Sequence, residues 1–221
     1  MKYNKRLKTL LRLFPYLDNK EKAAKLKIDD DSIHYISIRE YADKITDIIK
    51  FYLSELDIDP DDATITDATA GVGGNTISFG MNFKKVNAIE LDEQRSKYLV
   101  NNIDIYDLTN IDIYNDDSTK VLTKLDNHDV VFLDPPWGGK TYKNHEFLRL
   151  HLSDVSIEML CNGMMNKEWM KKCPAIIVYK LPINYDIKYF FEHVNSSLIY
   201  YHNLKKMSLI VIINPDAMKS E

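Results

Sequence analysis

Two periodicities divide the 221-residue chain. Before residue 57, apolar side chains recur every three or four positions. Leu7, Leu10, Leu11 and Leu13 alternate with basic residues, which predicts a short amphipathic helix from Lys5 to Phe14, closed by Pro15. Ile45, Ile48, Ile49, Tyr52 and Leu53 predict a longer one from Ile38 to about Leu56. Ser37 reads as its N-cap, and Glu40 three residues on completes a capping box. Asp29-Asp30-Asp31-Ser32 reads as a turn, and Asp57 to Asp62, with Pro60, as a loop.

Beyond residue 62 short β-branched runs alternate with helical patterns. Strands are predicted at Thr64–Thr69, Lys85–Leu91, Asn110–Asn115, Asp129–Asp134 and Ala175–Leu181. Helices are predicted between and after them at Asn75–Gly80, Glu93–Tyr106, Ser118–Leu125, His145–Cys161 and Asp186–His193. This alternation implies βαβ units and a largely parallel, doubly wound sheet, hence an α/β fold. Ser197–His202 and Met207–Ile213, joined by polar Asn203-Leu204-Lys205-Lys206, predict an antiparallel hairpin at the sheet edge. The expected division is a helical N-terminal extension, 1–55, and one catalytic-size domain, 56–221.

Charge changes this picture at one end. The chain carries a formal −4, yet residues 1–27 hold nine lysines and arginines against Asp18 and Glu21, a local +7. The rest is therefore acidic, and a basic arm on an acidic body can follow a phosphate backbone. A hydrophobic content of 45% and a charged content of 28% are those of a soluble globular protein. No apolar run approaches the roughly 20 residues of a membrane span, and no secretory leader is evident. The expectation is a cytoplasmic or nuclear protein with no membrane association, a monomer by default. Cys161 and Cys173 read as reduced thiols, and no His or Cys spacing indicates a metal. Trp169 and Met164-Met165 read as packing residues, and His34 and His145 as structural ones. Richness in Asn, Ile, Lys, Tyr and Asp matches AT-rich genomes, a weak pointer to a virus or parasite.

The chemistry concentrates at strand ends. Val130-Val131-Phe132-Leu133 leads into Asp134-Pro135-Pro136-Trp137-Gly138-Gly139-Lys140-Thr141-Tyr142. Two prolines stiffen the turn, so a carboxylate, a carbonyl and a flat aromatic are presented together, as gripping a planar amine-bearing ring requires. The first strand ends in Asp67-Ala68-Thr69-Ala70-Gly71-Val72-Gly73-Gly74-Asn75-Thr76. Gly71 and Gly73 let a ligand approach the backbone, but the third glycine of a dinucleotide fingerprint would fall at Thr76. Glu90, ahead of Leu91, ends the second strand and can accept from ribose hydroxyls. Asp116-Asp117 ends the third, and one of them, assigned as Asp116, can receive an adenine amine.

Three strand-end acids around a glycine loop resemble the S-adenosylmethionine pocket of class I methyltransferases, a Rossmann-like fold. The resemblance implies cofactor contacts at Asp67, Ala68, Gly71, Gly73, Asn75, Thr76, Glu90, Leu91, Asp116 and Asp134. Asp-Pro-Pro-aromatic resembles the signature of enzymes that methylate adenine N6 or guanine N2. Gly71-Val72-Gly73-Gly74-Asn75-Thr76 together with Pro135-Pro136-Trp137-Gly138-Gly139 is similar to trimethylguanosine synthase, the RNA cap guanine-N2 methyltransferase family. Asn101-Asn102, Val178-Tyr179-Lys180-Leu181-Pro182 and Leu13-Phe14 extend the likeness over nearly the whole chain.

That resemblance implies methyl transfer to N2 of the 7-methylguanosine cap of RNA, giving a 2,7-dimethyl cap and, after a second transfer, a 2,2,7-trimethyl cap. It implies catalytic roles for Asp134, Pro135 and Trp137 and substrate contacts at Trp137, Lys140, Tyr142 and Lys180. A 7-methylated guanine is cationic, so stacking on Trp137 gains about 0.5–2 kcal/mol. Two departures stand out. The family commonly has serine where this chain has Asp134, and an arginine after the strand-five Leu-Pro where this chain has Ile183, so that one cap-phosphate contact is expected either to be missing or to be supplied by Lys180. An adenine-N6 or internal guanine-N2 nucleic-acid methyltransferase, and a non-catalytic cap-binding subunit, are the competing expectations.

Overall fold

A computed structural model describes residues 2–218; the side chains of residues 2–4 and of Lys140 lie outside that description, and with them the expected role of Lys140. The chain forms two compact units, Met1–Asp116 and Asp117–Glu221.

The first unit runs α1 (Lys2–Leu13), α2 (Lys20–Ala23), α3 (Ser32–Tyr35), α4 (Arg39–Glu55), β1 (Thr64–Asp67), α5 (Gly74–Gly80), β2 (Lys85–Ile89), α6 (Glu93–Ile105) and β3 (Ile111–Tyr114). Its strands are parallel in the order β3-β2-β1, with Asp67 beside Ala88 and Ile89 beside Tyr114. The leucine stripe of α1 turns inward, as its spacing requires, with Leu10 and Leu13 buried and Leu7 and Leu11 half-buried. Leu10, Leu13, Phe14, Ala23 and Leu26 share one core cluster with Ala70, Val72, Ile77, Leu99 and Ile103. The basic N-terminal segment is thus packed into the unit along its apolar side, not held out as an arm.

The capping box at Ser37 does not form. Ile38 occupies the cap position of α4 and provides no side-chain bond, while the Ser37 hydroxyl accepts from the Asn75 side chain at 3.1 Å. Glu40 pairs instead with Lys44, one turn along the helix, at 2.7 Å. Competition from a tertiary partner outweighs the local cap. The acidic turn holds: Asp29 accepts from the Ser32 backbone N–H at 2.8 Å and opens α3.

The second unit runs α7 (Ser118–Val121), a 3-10 turn over Leu122–Lys124, β4 (Val130–Leu133), a 3-10 segment over Gly139–Asn144, β5 (His151–Leu152), β6 (Val155–Ser156), α8 (Ile157–Met164), β7 (Ile176–Pro182), α9 (Ile187–His193), β8 (Ile199–Asn203) and β9 (Met207–Ile213). Its main strands lie in the order β4-β7-β9-β8, with β4 and β7 parallel and β9 antiparallel to both neighbours. The expected C-terminal hairpin is present. The expected helix over His145–Cys161 is not. Leu148, Leu150 and Leu152 are buried with a period of two, the strand period, and Ser153 turns the chain at φ 53° into the β5–β6 ribbon. Only then does Ser156, accepting from the Met159 N–H at 3.3 Å, cap the shorter α8. The helix expected over Ser118–Leu125 is likewise a single α turn followed by the 3-10 turn. Trp169 packs as expected: a Cβ on Gly163 would lie 2.2 Å from its ring.

Each unit thus carries one set of main strands, parallel throughout in the first and mixed in the second, and β5 and β6 form a separate antiparallel ribbon. The fold is α/β, as the alternation predicts. Among the described residues no helix is long and apolar enough to cross a membrane, and no group of three His, Cys, Asp or Glu side chains could hold a metal ion.

Candidate active site

In the first unit, β1 ends at Asp67 and the chain turns through residues 68–73 into α5. Asp67 is buried, and its carboxylate accepts from the Thr76 hydroxyl at 2.6 Å and from the Thr69 N–H at 3.3 Å. These two expected cofactor residues therefore bind each other and close the base of the loop. Ala68 is fully buried beneath it. Gly71 has φ 55°, and a Cβ built there would meet nothing within 4 Å, so its surroundings are open on that side. Gly73, at φ 104°, is packed closely by Leu99 and Ile77.

Glu90 follows β2 directly. One carboxylate oxygen accepts the Gly71 N–H at 2.7 Å and the other the Asp92 N–H at 2.8 Å. Burial raises its carboxyl above the usual range, opposed by those two bonds. Each oxygen retains a further lone pair. Leu91 is 65% exposed beside it, an apolar surface that burial does not explain. Asn115, which sequence reading missed, holds this corner by donating to the carbonyls of Glu90 at 2.8 Å and Leu91 at 3.2 Å. Asp116 is exposed, whereas Asp117 caps α7 and accepts from the Ser153 hydroxyl at 2.9 Å. Asn75 donates to Ser37, but its side-chain oxygen is buried with no hydrogen-bond partner. A second side chain missed in role is Asn102. Its amide donates to the carbonyls of Lys27 and Val72, both at 2.8 Å, and its oxygen accepts the Lys27 N–H at 2.8 Å. It ties the segment after α2 to the glycine loop.

In the second unit, parallel pairing of β4 with β7 sets Leu133 beside Tyr179, so the next residues, Asp134 and Lys180, come side by side. The Lys180 ammonium lies 2.5 Å from the Asp134 carboxylate; the side chains are 3% and 18% exposed. Burial pushes the Asp134 carboxyl up, and Lys180 pulls it back toward the ionised form. The same ammonium lies 5.2 Å from the centre of the Trp137 ring. Lys180 is therefore engaged inside the unit, and the expectation that it reaches out to a cap phosphate gives way to this pairing.

Pro135 is buried and Pro136 exposed. Trp137 is half-buried, and the edge of one ring meets the face of the other where it packs with Tyr142, at 5.3 Å and 72°. Gly138 and Gly139, at φ 86° and 69°, make the reversal that brings Tyr142 back to Trp137. Asn184 pins that reversal, donating to the carbonyls of Tyr142 at 2.8 Å and His145 at 2.7 Å. The indole N–H of Trp137 is buried without a hydrogen bond of good geometry, though it lies near enough to Asp134 to favour the carboxylate.

A glycine loop after β1, an acid after β2 and an acid-led proline turn after β4 define a class I S-adenosylmethionine-dependent methyltransferase fold. Solved structures share it. A Thermus thermophilus 16S rRNA N2 methyltransferase, in complex with AdoMet and guanosine, superposes with a TM-score of 0.57 at 14% identity, covering 85% of this chain and 44% of that one. A putative Escherichia coli methyltransferase does so at 0.53 and 16%, covering 77% and 85%. More narrowly, residues 62–219 match the RNA cap guanine-N2 methyltransferase family, and the chain belongs to it. A protein of Acanthamoeba polyphaga mimivirus is 39% identical over 218 residues, 90% of this chain and 83% of its own length. The trimethylguanosine synthase of Schizosaccharomyces pombe is 30% identical over 131 residues, 56% of this chain and 52% of its own length. That of Saccharomyces cerevisiae is 31% identical over 135 residues, 58% and 41%. The chain thus spans about half the length of these synthases.

Proposed function

We propose that the protein transfers a methyl group to the exocyclic N2 of a 7-methylguanosine RNA cap, and that the methyl donor is S-adenosylmethionine. Bound, this donor supplies an electrophilic methyl on a sulfonium sulfur. The first unit's residues suit it. The open side of Gly71 admits a ligand against the backbone, the unpartnered buried oxygen of Asn75 can accept a donor, and the remaining lone pairs of Glu90 can take hydroxyls. Exposed Leu91 offers a flat ring an apolar seat, and Asp116 an acceptor for an exocyclic amine.

The second unit's residues suit the acceptor. The guanine N2 lone pair is delocalised into the ring and is a poor nucleophile. Asp134 and the Pro135 carbonyl accept its N–H bonds and turn the lone pair toward the incoming methyl; alignment of this kind is worth up to about 7–11 kcal/mol. Transfer leaves a cationic nitrogen, and Asp134, whose carboxyl lies above its ordinary range, is placed to take the proton. Trp137, braced edge-on by Tyr142, stacks the cationic base. Lys143 and the exposed basic residues of the N-terminal segment supply charge for the phosphates of the cap and RNA, with Lys140 a further candidate by its place in the sequence.

The single observation that carries this reading is the Asp134–Lys180–Trp137 cluster, an acid and an aromatic fixed together at one strand end. Asp134, in place of the serine common among similar family members, is also the residue used by amine methyltransferases at large, which keeps an internal guanine or adenine as the second reading. Incubation with labelled S-adenosylmethionine and 7-methyl-GTP, GTP or uncapped RNA separates the two. Label on 7-methyl-GTP alone supports the cap reading, and digestion of the product counts the methyls; label on uncapped RNA alone overturns it.

A further inference from the structure

Lys180 stands in the interior of β7, a strand buried along its whole length. Lysine is almost never fully buried unless paired, and here the pair is Asp134 at 2.5 Å. Removing one partner of such a pair leaves a buried charge uncompensated, and a buried carboxylate without a counter-ion takes up a proton. The ammonium is delivered by a strand, not a loop, so its position is set by the β4–β7 register. It also lies over the Trp137 ring, at 5.2 Å. One buried cation therefore touches both the acid that receives the amine and the aromatic that stacks the base.

We infer that Lys180 is a positioning residue: it keeps Asp134 ionised, fixes the plane of its carboxylate, and makes Asp134 and Lys180 a matched pair exchangeable only together for neutral side chains. This rests on the proposed role of Asp134 toward the substrate amine. Burial raises the Asp134 carboxyl, while Lys180, from β7, and the Trp137 indole, from its own loop, both lower it. With Lys180 neutralised, the largest influence opposing burial is lost, and the acid limb of the rate profile moves to higher pH. A serine at 134 carries no charge to compensate, and a lysine opposite it would then be the uncompensated group.

The test uses the full chain with Lys180→Met, Lys180→Arg, Asp134→Ser and the double variant Asp134→Ser/Lys180→Met. Methyl transfer to 7-methyl-GTP and thermal melting are each followed from about pH 5 to about pH 9. The expected result for Lys180→Met is at least a tenfold lower kcat near neutral pH, recovered in part at high pH, with KM for S-adenosylmethionine little changed. Lys180→Arg restores the acid limb, and the double variant melts higher than either single one. A Lys180→Met acid limb at the wild-type position, or melting losses that simply add in the double variant, overturns the inference. The melting comparison reads the coupling even where a single variant is too unstable to assay. If the wild-type protein labels only uncapped RNA, the cap reading falls while the same acid-limb comparison, made on that RNA, still decides the role of Lys180.

Discussion

Gly71 and Gly74 lie three residues apart in one loop and answer to different constraints. A Cβ on Gly74 would come within 2.6 Å of the Ile36 side chain and 3.2 Å of the Ser37 carbonyl. Gly74→Ala is therefore expected to destabilise by about 1–3 kcal/mol, read as a fall in the melting midpoint. Gly71→Ala meets open space and costs only the left-handed backbone, about 1–2 kcal/mol. Its larger effect is expected on S-adenosylmethionine affinity, measured by calorimetry; an unchanged affinity would place the cofactor elsewhere. Trp137→Ala is expected to weaken 7-methyl-GTP binding on the order of tenfold or more, from lost stacking of about 1–3 kcal/mol. It should also erase the preference over GTP, about 0.5–2 kcal/mol, in a fluorescence or calorimetric titration. At this scale the sequence located strand-end acids correctly but not their partners. Spacing places Asp67, Glu90 and Asp134 at the ends of β1, β2 and β4. It says nothing of Thr76 closing on Asp67, Ser37 meeting Asn75, or Lys180 turning inward, because those contacts join residues far apart along the chain.

Elements were legible where one period ran long enough to exclude the other. The strands from Thr64 to Leu133 and the hairpin of β8 and β9 follow from alternation and polar turns. The segment after Tyr142 did not: its leucines at 148, 150 and 152 carry the strand period, but the run is short and leads straight into the helical pattern of α8. The helical extension offered a different difficulty: its apolar stripe was evident, its target was not. Asn102 supplies the missing link by bonding both Lys27 and Val72. Asn102→Ala leaves three backbone groups without those bonds and is expected to cost on the order of 3 kcal/mol. For a chain of this size that is about 6–12 °C in melting midpoint. Asn101→Ala, at the half-buried neighbouring position, removes only longer bonds to the Lys25 carbonyl and the Asn102 side-chain oxygen, at 3.3 and 3.1 Å, and should cost less.

For the molecule as a whole, charge and pH offer the readouts. Lys5, Lys8, Arg12, Lys20 and Lys25 are exposed on the first unit, while Lys22 is paired with Asp107. If these cations follow the RNA, affinity for a capped oligonucleotide will fall steeply with salt, whereas affinity for 7-methyl-GTP will change little. Equal salt slopes in a filter-binding assay would remove RNA-body contacts from the proposal. His128 sets an acid limit on stability in the second unit. It is fully buried, its ring bonded to the Lys172 carbonyl at 2.5 Å, and burial lowers its pKa. The unfolded chain then binds a proton that the folded one resists, so stability is lost as pH falls below the ordinary histidine range, about 6.5. His128→Gln is expected to flatten the melting midpoint between about pH 7 and pH 5, whatever its cost at neutrality.

The packing of the N-terminal leucines also orders events during synthesis. Leu10, Leu13 and Phe14 are made almost 90 residues before their partners Leu99 and Ile103. At about 5–20 residues per second, the side of the stripe that meets α6 waits roughly 5–20 s for its cover. During that interval the charge of Lys5, Lys8 and Arg12 beside it is expected to keep the nascent segment soluble, a service rendered before any substrate is met.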